Sequence, residues 1–235
     1  MSNASHPPIS ESCFLNVVRP HLQTGDAACL AQAVRVRWRP AQVSQLLRQG
    51  GIDTRRVAAL VLGLIGNKAS SHALTRALRD EDAQVNLMAE HALWSIWFRA
   101  GAPEATESFR EGVALLESEA YEAAIICFTK ASTIDLDFAE AHNQCAIAHY
   151  FLAQWPASIQ SCCKAIRLNP VHFGAISGLG HVYAQTGDLT RALRCYRRSL
   201  SINPRMPVIE RATKRLESRI NDMDSSGEFL VQQTQ

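Results

Sequence analysis

The sequence predicts an all-α fold, an α-solenoid of helical hairpins, and three observations carry that expectation. Segments 165–170 and 199–204 correspond position by position at an offset of 34, each ending in a proline, Pro170 and Pro204. A self-similarity of that length is the period of a helix–turn–helix repeat. Small residues recur at the same spacing: Gly112, Ala146 and Gly180 in one column, Ala124, Ser158 and Ala192 in a second, Ala131, Ala165 and Ser199 in a third. Between them stand Leu115, Phe128, Leu179, Tyr183 and Tyr196. Small against large at fixed spacing lets neighbouring helices interlock in one register. Finally, no segment alternates apolar and polar residues as a half-buried strand would.

Taken in order, residues 1–12 are expected to be disordered. Residues 13–100 form a first array. In it, 27–48 reads as a helix pair broken at Arg39-Pro40, and 72–78 reads as a helix closed by the acidic turn 79–82. The stretch 53–66 aligns with 84–97 at an offset of 31, pairing Ala58 with Ala89, Leu62 with Leu93 and Ile65 with Ile96. These residues resemble the short bacterial HEAT-like repeat, also found in phycobilin lyases. The second copy carries Trp94 and Trp97 in place of Gly63 and Gly66, so its last turn must pack differently. Gly101-Ala102-Pro103 then breaks the chain.

Three units follow at period 34: 105–138, 139–172 and 173–206. In the third, Gly187-Asp188 supplies a turn and a helix N-cap, and Pro204 ends the second helix. The second unit has Gln154-Trp155-Pro156 at its turn, where proline suits a helix start. The first has Glu119-Ala120 there, and Leu136 where the others have proline. The small and bulky columns resemble the signature of tetratricopeptide repeats, over about half the chain. Residues 207–221 read as a capping helix with Ile209, Ala212, Leu216 and Ile220 on one face and Arg211, Lys214, Arg215 and Glu217 elsewhere. The polar segment 222–235, with a Ser-Ser-Gly break, is expected to be disordered.

Composition narrows the function classes. Hydrophobic residues make up 47% and charged residues 20%, an ordinary globular balance. The longest apolar run, 57–66, is far too short to span a bilayer. The first residues lack a basic start and an apolar core, so a cytoplasmic location is expected. Seven cysteines without a Cys-x-x-Cys pair suit small buried hydrophobes in a reducing compartment. Residues 27–79 hold nine basic side chains against one acid, Asp53, while 101–140 is acidic. Basic helices could track a phosphate backbone, which makes nucleic acid an alternative partner. The modest pI of about 8.2 and the lack of aromatic–basic interleaving disfavour it.

No catalytic motif is present. Gly63 and Gly66 lie inside a predicted helix with no following Lys-Ser/Thr, Gly178 and Gly180 lie mid-helix, and there is no Gly-x-Ser-x-Gly elbow. The expectation is therefore a non-enzymatic protein without cofactor or metal, with His142 and His149 as packing residues. The tetratricopeptide resemblance implies that the first helix of each unit lines a concave, peptide-binding groove. It nominates Phe109, Val113, Leu116, Asn143, Ile147, Tyr150, Phe151, Ser177, His181 and Gln185. Members of that family that grip chaperone C-terminal carboxylates use lysine, asparagine and arginine at set places. Here those places hold Phe109 and Val113, Gln144 beside Asn143, and Ser177 and His181, so no cationic clamp is available. The implied function is a scaffold or adaptor for a peptide or partner protein. A second alternative, by analogy with phycobilin lyases, is an accessory subunit of a modifying enzyme.

Overall fold

A computed structural model describes residues 9–232, with side chains to residue 222. Among them are thirteen α-helices, one 3-10 turn and no strand. They divide into two compact units, Met1–Ala100 and Gly101–Gln235.

The N-terminal unit contains α1 (Glu11–Thr24), α2 (Ala27–Arg35), α3 (Pro40–Gln49), α4 (Ile52–Ile65), α5 (Ser71–Ala77) and α6 (Ala83–Phe98). The starts of α4 and α6, Ile52 and Ala83, keep the offset of 31 seen in the sequence. Ala58, Leu62 and Ile65 of α4 are buried, as are their aligned partners Ala89, Leu93 and Ile96 of α6. A Cβ on Gly63 would lie 3.3 Å from the Ala92 Cα, so this glycine sets the approach of the two helices. Trp94, at the corresponding place in α6, packs edge-on against Trp97 at 5.1 Å. Disorder through residue 12 is not what the structure shows. Helix α1 begins at Glu11, because Ser10 accepts a hydrogen bond from the Cys13 amide and Glu11 accepts from the Gly51 amide and the Thr54 hydroxyl. Residues 1–8 lie outside the described residues.

The C-terminal unit contains α7 (Pro103–Glu117), α8 (Tyr121–Ile134), α9 (Ala139–Phe151), α10 (Trp155–Leu168), α11 (Phe173–Gln185), α12 (Leu189–Ile202) and α13 (Pro207–Gln232). The starts of α8, α10 and α12 follow the period of 34, as do those of α9, α11 and α13. Within each hairpin the turn is the same whatever its sequence. Glu119, Ala153 and Gly187 all adopt left-handed backbone, with φ of 62°, 54° and 84°. Each is followed by a matching six-residue hydrogen bond, Ala120 N–H to Leu115 O, Gln154 N–H to His149 O and Asp188 N–H to Tyr183 O. The missing glycines of the first two repeats are therefore tolerated at a cost of about 1–2 kcal/mol each rather than altering the turn.

Packing explains the small columns. A Cβ on Gly112 would lie 2.7 Å from the Phe128 ring, and one on Gly180 would lie 2.6 Å from the Tyr196 ring. The two serines in otherwise alanine columns are buried but satisfied: Ser158 donates to the Ala146 carbonyl and Ser199 to the Phe173 carbonyl. Helix α13 covers α12 with Ile209 and Leu216. It does not stop at 221 but continues to Gln232, through the segment expected to be disordered. A single glycine inside a helix costs only about 1 kcal/mol, too little to end one. Residues 233–235 lie outside the described residues.

Candidate functional site

One column does not repeat. Phe128, Cys162 and Tyr196 hold equivalent places at the period of 34, so the middle repeat has a thiol where its neighbours have an aromatic ring. The opposing residue is Ala146 rather than glycine, and Ala146, Cys162 and Leu179 pack together. The missing ring leaves space. A cavity of about 340 Å³ opens between α9 and α11, with α10 beneath. Ala146, Ile147, Tyr150 and Phe151 of α9 form one wall, Gly178 and His181 of α11 the other, with Cys162, Ser158 and Asn143 completing the lining.

The polar groups of this cavity are neutral. Burial pushes the Cys162 thiol up to about 12, so it is not a nucleophilic thiolate. Burial also lowers the pKa of His181, whose Nδ1 is 2.7 Å from the Tyr196 hydroxyl, and raises that phenol to about 12. Asn143 is held from below by Glu140, a fully buried carboxyl group. Glu140 accepts hydrogen bonds from Asn143, from Gln144 at 2.7 Å and from His172 Nε2 at 2.7 Å. The Ala175 amide donates to His172 Nδ1, so the ring proton is on Nε2 and points at Glu140. This network ties α9 to the N-terminus of α11 and fixes the distance across the cavity.

The ten nominated residues separate into groups. Asn143, Ile147, Tyr150, Phe151 and His181 line the cavity. Gln185 lies at its edge, donating to the Tyr150 hydroxyl. Phe151 is 58% exposed and stacks on Tyr121 at 5.0 Å. Phe109 is a correction: it is only 2% exposed, wedged between Phe128 and Phe138 at 5.7 and 4.6 Å, and is core. Val113 and Leu116 pack against that same core. Ser177 is buried and donates to the Gly174 carbonyl, so it too is turned away. Ala146, Ser158, Cys162 and Gly178 were not nominated, although the Phe–Cys–Tyr column was readable in the sequence.

In the N-terminal unit, much of the basic charge is used internally. Arg55 pairs with Asp80 at 2.9 Å and Arg56 with Asp82 at 2.6 Å, an arrangement that holds the Asp82 carboxyl far below its usual range. Arg35 and Arg37 donate to the Leu64 and Ala33 carbonyls. His149 of α9 bonds Gln154, and among the described residues no group of three or more His, Cys, Asp or Glu could hold a metal ion. No helix among them is long and apolar enough to cross a membrane.

Comparison with known proteins agrees with the helical-hairpin fold. Residues 174–206 match the tetratricopeptide repeat family, so the chain contains that repeat in its α11–α12 hairpin. Subunit 3 of the anaphase-promoting complex of Schizosaccharomyces pombe is 29% identical over 109 residues, 46% of this chain and 16% of that protein. A TPR repeat-containing protein of Rhizobium etli is 26% identical over 89 residues, 38% of this chain and 44% of that one. The match thus spans less than half the length of either relative. The TPR domain of Sgt2 from Aspergillus fumigatus superposes with a TM-score of 0.51 at 20% identity, covering 54% of this chain and 85% of that domain. That likeness shows the fold: an all-α stack of helical hairpins.

Proposed function

We propose that this chain, which carries a tetratricopeptide repeat, is a non-enzymatic scaffold that holds a segment of a partner protein in the groove between α9 and α11. The observation that carries the reading is the cavity itself. Its mouth is lined by Ile147, Tyr150 and Phe151, and leaving such apolar surface in water is unfavourable unless a ligand covers it. Its interior presents no charged group, which suits one bulky apolar side chain of a peptide and gives no basis for gripping a carboxylate. The protonated Cys162 and neutral His181 also argue against chemistry at this place. The groove reading retains Asn143, Ile147, Tyr150, Phe151, His181 and Gln185 from the sequence expectation and drops Phe109, Val113, Leu116 and Ser177.

The test is site-specific photo-cross-linking in native cells. A benzoylphenylalanine at Phe151 should capture a partner segment identifiable by mass spectrometry, and Tyr150→Ala in the same chain should abolish the adduct. Adducts that persist undiminished with Tyr150→Ala would remove the groove from the account.

A further inference from the structure

We propose that the segment seated in the α9–α11 cavity carries acidic side chains beside its apolar anchor, and that Arg211, Arg215 and Arg219 of α13 receive them. This rests on the groove reading above and specifies the partner's chemistry.

The register of α13 places these arginines. Ile209, Thr213 and Leu216 are buried. Their equivalents at an offset of 34 are Ala175, Leu179 and Val182 of α11, and at an offset of 68 they are Ala141, Cys145 and Ala148 of α9, all buried as well. Helix α13 therefore presents to the array the same face that α9 and α11 do. With that register, Arg215 occupies the place of His181 and Ile147, and Arg219 that of Gln185 and Phe151. Arg211 takes the place of Asn143, which lines the cavity, and of Ser177, which does not, so Arg215 and Arg219 hold the places closest to the cavity and Arg211 continues the same row one turn earlier.

They are also uncommitted. All three are exposed, and they follow one another at every fourth position, roughly 6 Å of rise along the helix. Two acids of α13 are held by other cations, Glu210 by Lys214 at 2.8 Å and Glu217 by Arg197 at 2.7 Å. Among the described residues, none of the three arginines has an ion-pair partner. At the far end of the same face, α7 places the exposed Glu117 where α9 has Phe151. The surface thus passes from a single exposed acid at α7, through apolar at the cavity, to basic at α13. A partner segment complementary to it has its apolar anchor followed by aspartates or glutamates toward α13.

The test is selection of random dodecapeptides displayed on phage, fused through their C-termini so that no terminal carboxylate is free. The baits are the full chain, its Arg211→Glu/Arg215→Glu/Arg219→Glu variant and its Cys162→Phe/Ala146→Gly variant, each checked for native helicity. The full chain is expected to enrich peptides with a bulky apolar residue and at least two acids. The charge-reversed chain should keep the apolar preference and lose the acidic one. A selected peptide, synthesised as the C-terminal amide, should bind that variant at least about tenfold more weakly. Apolar enrichment without acids on the full chain would overturn the arginine assignment and leave the groove reading standing. No enrichment, or the same enrichment on the cavity-filled chain, would overturn both. Self-association of the full chain that charge reversal abolishes would put a second copy on this face and overturn the proposal.

Discussion

If Cys162 is what opens the cavity, replacing it with the ring its neighbours carry should close it. The perturbation is Cys162→Phe combined with Ala146→Gly, which copies the Gly112–Phe128 pair into the middle repeat. Fully burying a phenyl side chain stabilises by about 1.5–3 kcal/mol. The helical Ala→Gly change costs about 0.5–1 kcal/mol. The net gain is about 0.5–2.5 kcal/mol, or a rise in Tm of roughly 1–10 °C by circular dichroism. Cys162→Phe alone should behave oppositely. In the first repeat a Cβ on the facing glycine would lie 2.7 Å from the ring, and the Ala146 methyl would meet the new ring in the same way. Overpacking of this kind costs about 1–3 kcal/mol. Binding must then separate from stability. With the seat for an apolar anchor filled, anisotropy of a labelled peptide selected on the parent chain should show about 30-fold to 150-fold weaker binding, from about 2–3 kcal/mol of lost burial. A double variant that is more stable yet binds equally well would refute the cavity as the seat. A double variant less stable than the parent would refute the argument from the Phe–Cys–Tyr column.

Three further outcomes follow from particular contacts. His172→Phe removes one hydrogen-bond donor to the buried Glu140 carboxyl group and should cost about 1–3 kcal/mol in chemical denaturation, whereas Glu140→Leu with His172→Leu should cost less. Ala153→Gly relieves a left-handed alanine and should raise stability by about 0.5–1 kcal/mol after the added unfolded-state entropy, an effect readable from the urea midpoint. Burial lowers the pKa of His142 and His181, so below the ordinary histidine value near 6.5 the unfolded chain binds more protons than the native one. Stability should therefore be full above that pH and fall as pH drops toward the depressed native values, and His181→Gln should flatten the Tm–pH curve.

Much of the fold was legible because repeats write the same packing problem more than once. The columns of Gly112, Ala146 and Gly180 and of Ala124, Ser158 and Ala192 located the hairpins and gave their period. The turns were harder to read. Glu119 and Ala153 bear no mark of the left-handed backbone they adopt, which the six-residue hydrogen bond imposes on whatever residue stands there. Ends were least legible: Glu11 is drawn into α1 by Gly51 and Thr54, partners far along the chain. At the site, analogy between repeats nominated Tyr150, Ile147 and His181, which the structure brings together around the cavity. It misplaced Phe109, because the first repeat fills its interior with Phe109, Phe128 and Phe138, and a repeat place does not tell core from groove when the neighbouring rings differ. The Glu140–His172 pair joins two different repeats and has no local signature.

The most direct measurement is a methyl NMR titration of the full chain, labelled at alanine and isoleucine, with a peptide selected on it. The account predicts shifts concentrated at Ala146 and Ile147, with the exposed Ile126 and Ile134 of α8 unmoved. Saturable binding that shifts α8 or the N-terminal unit while Ala146 and Ile147 stay still would contradict it.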